Sequence, residues 1–353
     1  MSILFAILLF SLLIFVHELG HFVAAKLSGV QVNEFSMFMG PVIFKKQVGE
    51  TLYAIRCIPI GGYCAMEGED GGSDNPRSFE KAAWWKRLII LVAGAAMNFL
   101  VGVLIFAILY LPGNQVVAPV INEFTDCCIF NHENGLRVGD EILEIDGEKI
   151  YTNGDISLIL ELNSTINHDV VVLRDGEKLT FHDLEMAHTH QNEDGTQYLH
   201  YGFGFGQVRE AGFLEKLGFV WKVVMDNVRS VRLSLQMLLT GKAGVQDMSG
   251  PVGIVQMMSE VASESDSSLT ALLNMLSFGG MIAVNLAIMN LLPIPALDGG
   301  RVVGLLITTA FEKITRRKIN PKYEGYLHGA GMILLLGLMA IIMFKDLFVI
   351  FRG

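Results

Sequence analysis

Apolar residues along this chain gather into four long runs, separated by polar stretches of differing character. The first, Ser2 to Phe22, opens ILFAILLFSLLIFV and has the roughly 20 residues a helix needs to cross a bilayer. Leu88 to Leu111, Leu269 to about Leu297, and Gly329 to Phe351 read as further spans. Between the first two lies a polar interlude, Lys26 to Arg87, in which Glu34–Phe44 and Thr51–Pro59 are β-rich runs around Val48-Gly49-Glu50, the pattern of a hairpin. Its second run continues into Pro59-Ile60-Gly61-Gly62-Tyr63-Cys64-Ala65-Met66. That stretch reads either as backbone dipping to the membrane surface with an edge able to pair with an extended peptide, or as a solvated turn. Val116 to about Val208 carries short β-like runs and turn signals, a soluble domain. Gly212 to Gly241 has apolar Phe213, Leu217, Val220 and Val224 at helical spacing with charges between, too polar to span and suited to an interface. Ser249-Gly250-Pro251-Val252-Gly253 then breaks the helix. The fold class expected is a mainly α-helical polytopic membrane protein of about four transmembrane helices, with a membrane-associated β-hairpin and an inserted extracytoplasmic α+β domain.

Charge gives the runs a direction. Lys26, Lys45, Lys46, Arg56, Arg77, Lys81, Lys86 and Arg87 fall in the first interlude, and Arg301, Lys313, Arg316, Arg317, Lys318 and Lys322 precede the fourth span. Basic loops stay cytoplasmic, so both termini and the 116–208 domain are expected outside. Lys345 and Asp346, near the outer end of the fourth span, are spaced to pair or snorkel. Composition agrees: the 353 residues are 52% hydrophobic, and the net charge of −10 argues against a nucleic-acid partner. Cys57, Cys64 and the pair Cys127-Cys128 form no C-x-x-C spacing, so neither a zinc knuckle nor a disulfide framework is indicated. The first run lacks the basic leader and small-residue cleavage site of a secretory signal and is expected to be retained as a span.

Candidate chemistry lies where charge is costliest. His17-Glu18-Leu19-Gly20-His21 sits at the end of the first apolar run, and ionisable groups at such depth are functional candidates. Residues four apart share a helix face, so His17 and His21 offer two imidazoles to one metal ion, with Glu18 close enough to hold a water without being a ligand. This is the H-E-x-x-H pattern of zinc peptidases. A second cluster, Asn285, Asn290 and then Leu291-Leu292-Pro293-Ile294-Pro295-Ala296-Leu297-Asp298-Gly299-Gly300, breaks the third span with two prolines. Asp298 alone reads as readily as a solvated helix end. With His17 and His21 it completes the three protein ligands that a catalytic zinc takes while leaving one position for water. Gly94-Ala95-Ala96-Met97-Asn98 in the second span permits close helix approach, and Asn98 there reads as an interhelical hydrogen bond or as part of the site. His188-Thr189-His190 lacks neighbouring cysteine or carboxylate patterning, and its histidines are expected in a solvated loop.

Two resemblances follow. Asn134-Gly135-Leu136-Arg137-Val138-Gly139-Asp140-Glu141-Ile142-Leu143-Glu144-Ile145-Asp146-Gly147 resembles the central phrase of PDZ domains, which bind extended peptides by strand addition. HELGH, NLLPIPALDGG and that intervening domain, with PIGGYCAM, GAAMN and SGPVGI, resemble the site-2 protease family of intramembrane zinc metalloproteases, in the bacterial branch typified by the regulator of sigma-E protease. The resemblance implies one zinc held by His17, His21 and Asp298, with Glu18 as the catalytic carboxylate. It implies substrate contact by Asn290 and by the strand containing Gly61 and Gly62; Asn98 joins this substrate-binding set. The implied activity is regulated intramembrane proteolysis in a bacterial inner membrane. Its substrates would be single-span proteins such as anti-sigma factors or signal-peptide remnants, already trimmed outside. Members with two tandem PDZ domains are known, and this chain has room for one. Of the competing functions, a metal-ion transporter gives Glu18 no reason to stand beside His17, and against a membrane-anchored PDZ adaptor with a vestigial site stands the intact set of three ligands and base.

Overall fold

The computed structural model describes residues 2–69, 72–124, 135–163, 165–191, 197–244, 248–316 and 322–352. Cys127, Cys128 and Asn134 lie outside these residues. The chain divides into a unit made of Met1–Ile105 with Ser230–Gly353, and a second of Phe106–Arg229.

The first unit opens with α1 (Ser2–Ser28), whose apolar run continues one turn and more past Phe22. Strands β1 (Val32–Val48) and β2 (Thr51–Met66) follow, joined at Gly49–Glu50. Residues 44–48 run antiparallel to 51–55 and 34–37 antiparallel to 62–65, while 34–37 also pair with 52–55 in the same direction, so residues 34–37 of β1 enter the ladder twice. Phe35 faces both Tyr53 and Cys64, and Ser36 faces both Ala54 and Tyr63. The first half of β1 therefore lies between the two halves of β2, and segment 62–66 forms an outer edge with no other strand beside it among the described residues. The expected hairpin is present, but its second strand runs through Gly61 and Gly62 to Met66, because a positive φ of 75° at Gly61 turns the chain back along β1. Phe35, Cys64 and Met66 pack with Ala24, Ala25, Ile90 and Leu91, seating the hairpin on α1 and on α2 (Trp84–Tyr110). At the turn, Glu50 takes hydrogen bonds from Arg77 and from Lys26 of α1, which together hold its carboxyl down to about 2 from an ordinary 4.5. A depressed carboxylate stabilises above its ordinary value and fails only on acidification through the lowered one, so this attachment stays intact at neutral pH.

The chain leaves the second unit partway along α4 (Phe213–Thr240) and continues in α5 (Pro251–Ser263), α6 (Ser268–Asn290), α7 (Asp298–Thr315) and α8 (Lys322–Arg352). Four helices are long and apolar enough to cross a membrane: Leu4–Ser28, Trp84–Tyr110, Ser268–Asn290 and Gly325–Phe348. Two elements depart from the sequence reading. The Ser249–Gly253 break is followed at once by α5, with Pro251 in its first turn, where a missing N–H costs nothing. The third span ends at Asn290 rather than near Leu297, and the basic stretch after it is the helix α7, whose first residue is Asp298. Asp346, expected at the surface of the fourth span, is instead buried: its Oδ2 accepts from the N–H groups of Gly250 and Gly253 at 2.9 and 3.0 Å and so caps α5. Lys345 does pair with it, at 3.4 Å. Ala6, Leu9 and Leu13 of α1 pack against Met258 of α5 and Met275 and Ile282 of α6, which puts α1 in the middle of this unit's core.

The second unit has a sheet in the order β10-β3-β4-β6-β7, from β3 (Gln115–Phe124), β4 (Glu141–Ile145), β6 (Asn167–Arg174), β7 (Glu177–Glu185) and β10 (Phe203–Glu210); the short β5 (Glu148–Lys149) pairs with β4. Helix α3 (Asn153–Asn163) covers it, burying Ile156, Ile159 and Leu160 against Ile121, Ile142, Ile145, Val170 and Val172. The Gly139-Asp140 pair of the central phrase is structural. Asp140 is 1% exposed and accepts both Nε and Nη2 of Arg174 at 2.7 Å, a bidentate pair that joins β4 to β6. His188 and His190 do not lie in a loop: β8 (His188–Gln191) pairs with β9 (Gln197–His200), with His188 opposite His200.

Candidate metal centre

The site gathers on α1. His17 and His21 stack one turn apart, rings nearly perpendicular with centroids 4.8 Å apart, and their Nε2 atoms are 3.2 Å from each other. Asp298 comes from the first turn of α7, where the proline-broken segment ends, and its Oδ2 lies 3.2 Å from each of those nitrogens. Among the described residues these are the three that converge in a way able to hold a metal ion. Bonds of about 2.0–2.1 Å at tetrahedral angles place ligand atoms roughly 3.3 Å apart, so the triangle has the size zinc requires.

Proton accounting points the same way. His21 Nδ1 donates to the Ile90 carbonyl of α2 at 2.8 Å, which leaves Nε2 as a lone pair facing inward. Asp298 Oδ2 is buried and takes no hydrogen bond, and it faces that lone pair. Acceptors crowded together out of water are destabilising without a cation between them. The residues fit a divalent metal.

Around the triangle each neighbour has an identifiable task. The Asn98 and Asn290 amides, from α2 and the last residue of α6, both stand 3.4 Å from His17 Nδ1. Turning the Asn98 amide by half a rotation, which exchanges two atoms of similar size, gives the His17 N–H an acceptor and gives the buried, otherwise unbonded Asn98 Oδ1 a donor. Asn98 is 1% exposed, so its surroundings favour orienting His17 over touching a substrate. Gly94, one turn before Asn98, is the close-approach residue of the GAAMN stretch: a Cβ there would collide with His21 Nε2 and come within 2.8 Å of His17 Cε1. Glu18 points elsewhere on α1, toward the hairpin, where a Cβ on Gly62 would lie 3.2 Å from Glu18 Cγ. The structure thus brings together His17, His21, Asp298, Asn98 and Asn290, and sets Glu18 against Gly62 beside Gly61. Sequence reading did not find the Ile90 carbonyl, since a backbone acceptor has no residue-type signal. It named Gly94 only as a small residue, because what approaches it, a pair of imidazoles, is set by tertiary packing.

Two histidines one turn apart on an apolar helix, a carboxylate from α7 beside them and Glu18 next in sequence have the chemistry of a metallopeptidase site. The sequence matches peptidase family M50 over residues 5–338, and the chain belongs to that family, which is zinc-dependent. It is 35% identical over 352 residues to a protein of Clostridium perfringens named as a zinc metalloprotease, covering 98% of each chain. It is 34% identical over 364 residues, and 100% of each chain, to one of Fusobacterium nucleatum with the same name. It is 28% identical over 426 residues, 97% of each chain, to the regulator of sigma-W protease RasP of Bacillus subtilis. The protein is a membrane metalloprotease whose metal is zinc.

Gly94→Ala should lower the zinc content of the purified protein well below one per chain while leaving its yield from membranes intact. Elemental analysis reads this directly. Full zinc occupancy would mean that α2 can withdraw without disturbing the histidines.

Proposed function

We propose that this protein is an intramembrane endopeptidase that cuts within or near the transmembrane segment of single-span proteins, with His17, His21 and Asp298 as zinc ligands and Glu18 as general base and acid. The observation that carries this reading is the triangle that His17 and His21 of the apolar helix α1 form with Asp298 of α7, with Glu18, next to His17, facing a β-edge. Zinc supplies Lewis acidity, lowering the pKa of water and polarising a peptide carbonyl. Glu18 takes the proton from the attacking water and delivers it to the leaving amine, a role worth roughly 10²–10⁴ in rate. Asn98 orients the His17 ring and the Ile90 carbonyl that of His21, while Asn290, beside His17, contacts the substrate backbone.

A helical substrate hides its carbonyls in hydrogen bonds and must be unwound before it can be cut. Segment 62–66 pairs with β1 on one side and has no strand on the other among the described residues, and Gly62 has no side chain between that edge and Glu18. A substrate strand added there lies extended beside the catalytic carboxylate. The second unit supports a PDZ-like reading: α3 covers the sheet and β10 occupies one edge of it, the arrangement needed for binding a peptide by strand addition. In this role the 116–208 domain, with the 212–241 helix behind it, screens substrates and passes those already trimmed on the extracytoplasmic side. The membrane is then a bacterial inner membrane, with both termini and this domain outside and the metal toward the cytoplasm.

Glu18→Gln should keep wild-type zinc and lose at least about a hundredfold in cleavage of a single-span substrate in detergent; zinc lost along with activity would return Glu18 to a structural part. Proline introduced singly across 61–65 should slow cleavage while zinc remains, and unchanged turnover would remove the edge from the mechanism. Replacing 115–210 by a short Gly/Ser linker should let untrimmed substrates be cut. Continued resistance of those substrates would sink the screening role.

A further inference from the structure

The substrate edge has a fastening on its other side. Gly62, Cys64 and Met66 turn toward α1, where Cys64 and Met66 are buried in the core, so Tyr63 points to the opposite face of the hairpin. There its hydroxyl donates to Glu34 Oε1 at 2.7 Å and accepts from Arg56 Nη2 at 2.6 Å. Burial, and then the Glu34 carboxylate beside it, push that hydroxyl above its ordinary range and keep it a donor. Arg56 Nη2 also reaches Glu34 Oε1 at 2.7 Å, its Nε donates to the buried Ser36 hydroxyl at 3.0 Å, and its Nη1 donates to the Gly40 carbonyl at 2.7 Å. The guanidinium further lies over the Tyr63 ring, 5.4 Å from its centre. One side chain therefore joins the first half of β2, the paired part of β1, the Gly40 turn where β1 bends back, and the outer edge strand.

These contacts fall at the outermost pairing of the hairpin. The edge segment meets β1 over four consecutive pairs, from Glu34–Ala65 to Met37–Gly62, and a short strand that begins at two glycines has weak intrinsic register. Ser36 faces Tyr63 across the ladder, so the Arg56 bonds to Ser36 and Tyr63 fix that pairing. Their planar fork geometry cannot be reproduced by a single ammonium.

We infer that Arg56, with Glu34 and Tyr63, is a positioning clamp that sets where the substrate-receiving strand stands relative to Glu18, and so which peptide bond of the substrate is cut. The inference rests on the reading of 62–66 as that strand. A strand shifted by one residue turns every side chain to the wrong face, so a loosened edge admits substrate in registers two residues apart.

The test uses the full-length enzyme in detergent with a single-span substrate, reading zinc content, KM, kcat and the cut position by mass spectrometry. Arg56→Gln should keep wild-type zinc, raise KM about tenfold or more with a smaller change in kcat, and add a second cut two residues from the first. Arg56→Lys should restore KM in part and reduce the second cut. A single cut at the wild-type position with unchanged KM overturns the clamp, as does a fall in kcat alone, which a general loss of folded enzyme would produce. If Arg56→Gln is not recovered folded, Tyr63→Phe removes one hydroxyl only, and it should raise KM less while adding the same second cut; wild-type behaviour of Tyr63→Phe overturns the proposal. Failure of the edge reading itself is distinct, since proline variants across 61–65 would then cleave normally, whereas slowed proline variants beside a normal Arg56→Gln sink the clamp alone.

Discussion

Three ligand atoms at mutual distances of 3.2 Å, among helices that otherwise offer hydrocarbon, impose a demand on every neighbouring element. In a low-dielectric setting an unpartnered polar atom is expensive, so each imidazole must be held by a partner that water would supply elsewhere. Ile90 and Asn98 of α2 do this, and α2 can come near enough only because Gly94 lacks a side chain. One missing methyl group sets that approach.

The same demand explains why Asp298 comes from a separate helix. A third ligand on α1 would have to share one face with His17 and His21, whose rings already occupy it. Two prolines end α6 after Asn290, and the chain turns before restarting as α7 with Asp298 in its first turn. The carboxylate thus enters at a helix N-terminus, where the dipole favours negative charge and offsets part of its burial. Opposite, the hairpin closes on Glu18 with Gly62, and Phe22 stacks near Phe35 at 5.0 Å to seat the strands on α1.

How legible this was from the residues differs by feature. The spans and the histidine pair stood out because a bilayer tolerates few polar groups, so His17, Glu18 and His21 contrast with everything before them. Asp298 was legible as a candidate ligand but not as the start of a helix: the basic residues after it suggested a loop, while the uncharged stretch from Val302 to Phe311 is too short to read as a span. Helix α5 was hidden by its own cap, since a Gly-Pro pair signals a break whether or not a helix begins there. Asp346 was misplaced because its partners are backbone N–H groups nearly a hundred residues earlier, and such donors leave no trace in composition. The double use of residues 34–37 in the hairpin ladder was likewise out of reach, for periodicity reports which face a residue takes and not how many neighbours its strand has.

The metal site is assembled from both sides of a long insertion: His17 and His21 precede Phe106–Arg229, and Asp298 follows it. Closing a flexible loop of that length carries an entropic cost that grows only with the logarithm of its length, yet it would still weigh against gathering ligands from its two ends. The insertion removes most of that cost by its own fold. Its first strand, β3, pairs with its last, β10, Gln115 facing Glu210, and the Ala211 N–H donates to the Asn114 carbonyl at 3.0 Å. Lys216 at the start of α4 donates to the carbonyls of Leu111 and Gly113 just past the end of α2, at 2.7 and 3.0 Å. The two ends of the inserted chain therefore lie side by side, and the helices they continue into are connected as if by a short turn. A domain with adjacent ends adds little to the entropic cost of closing the chain around it, so the β3–β10 pairing helps to bring together segments that lie on either side of it in sequence.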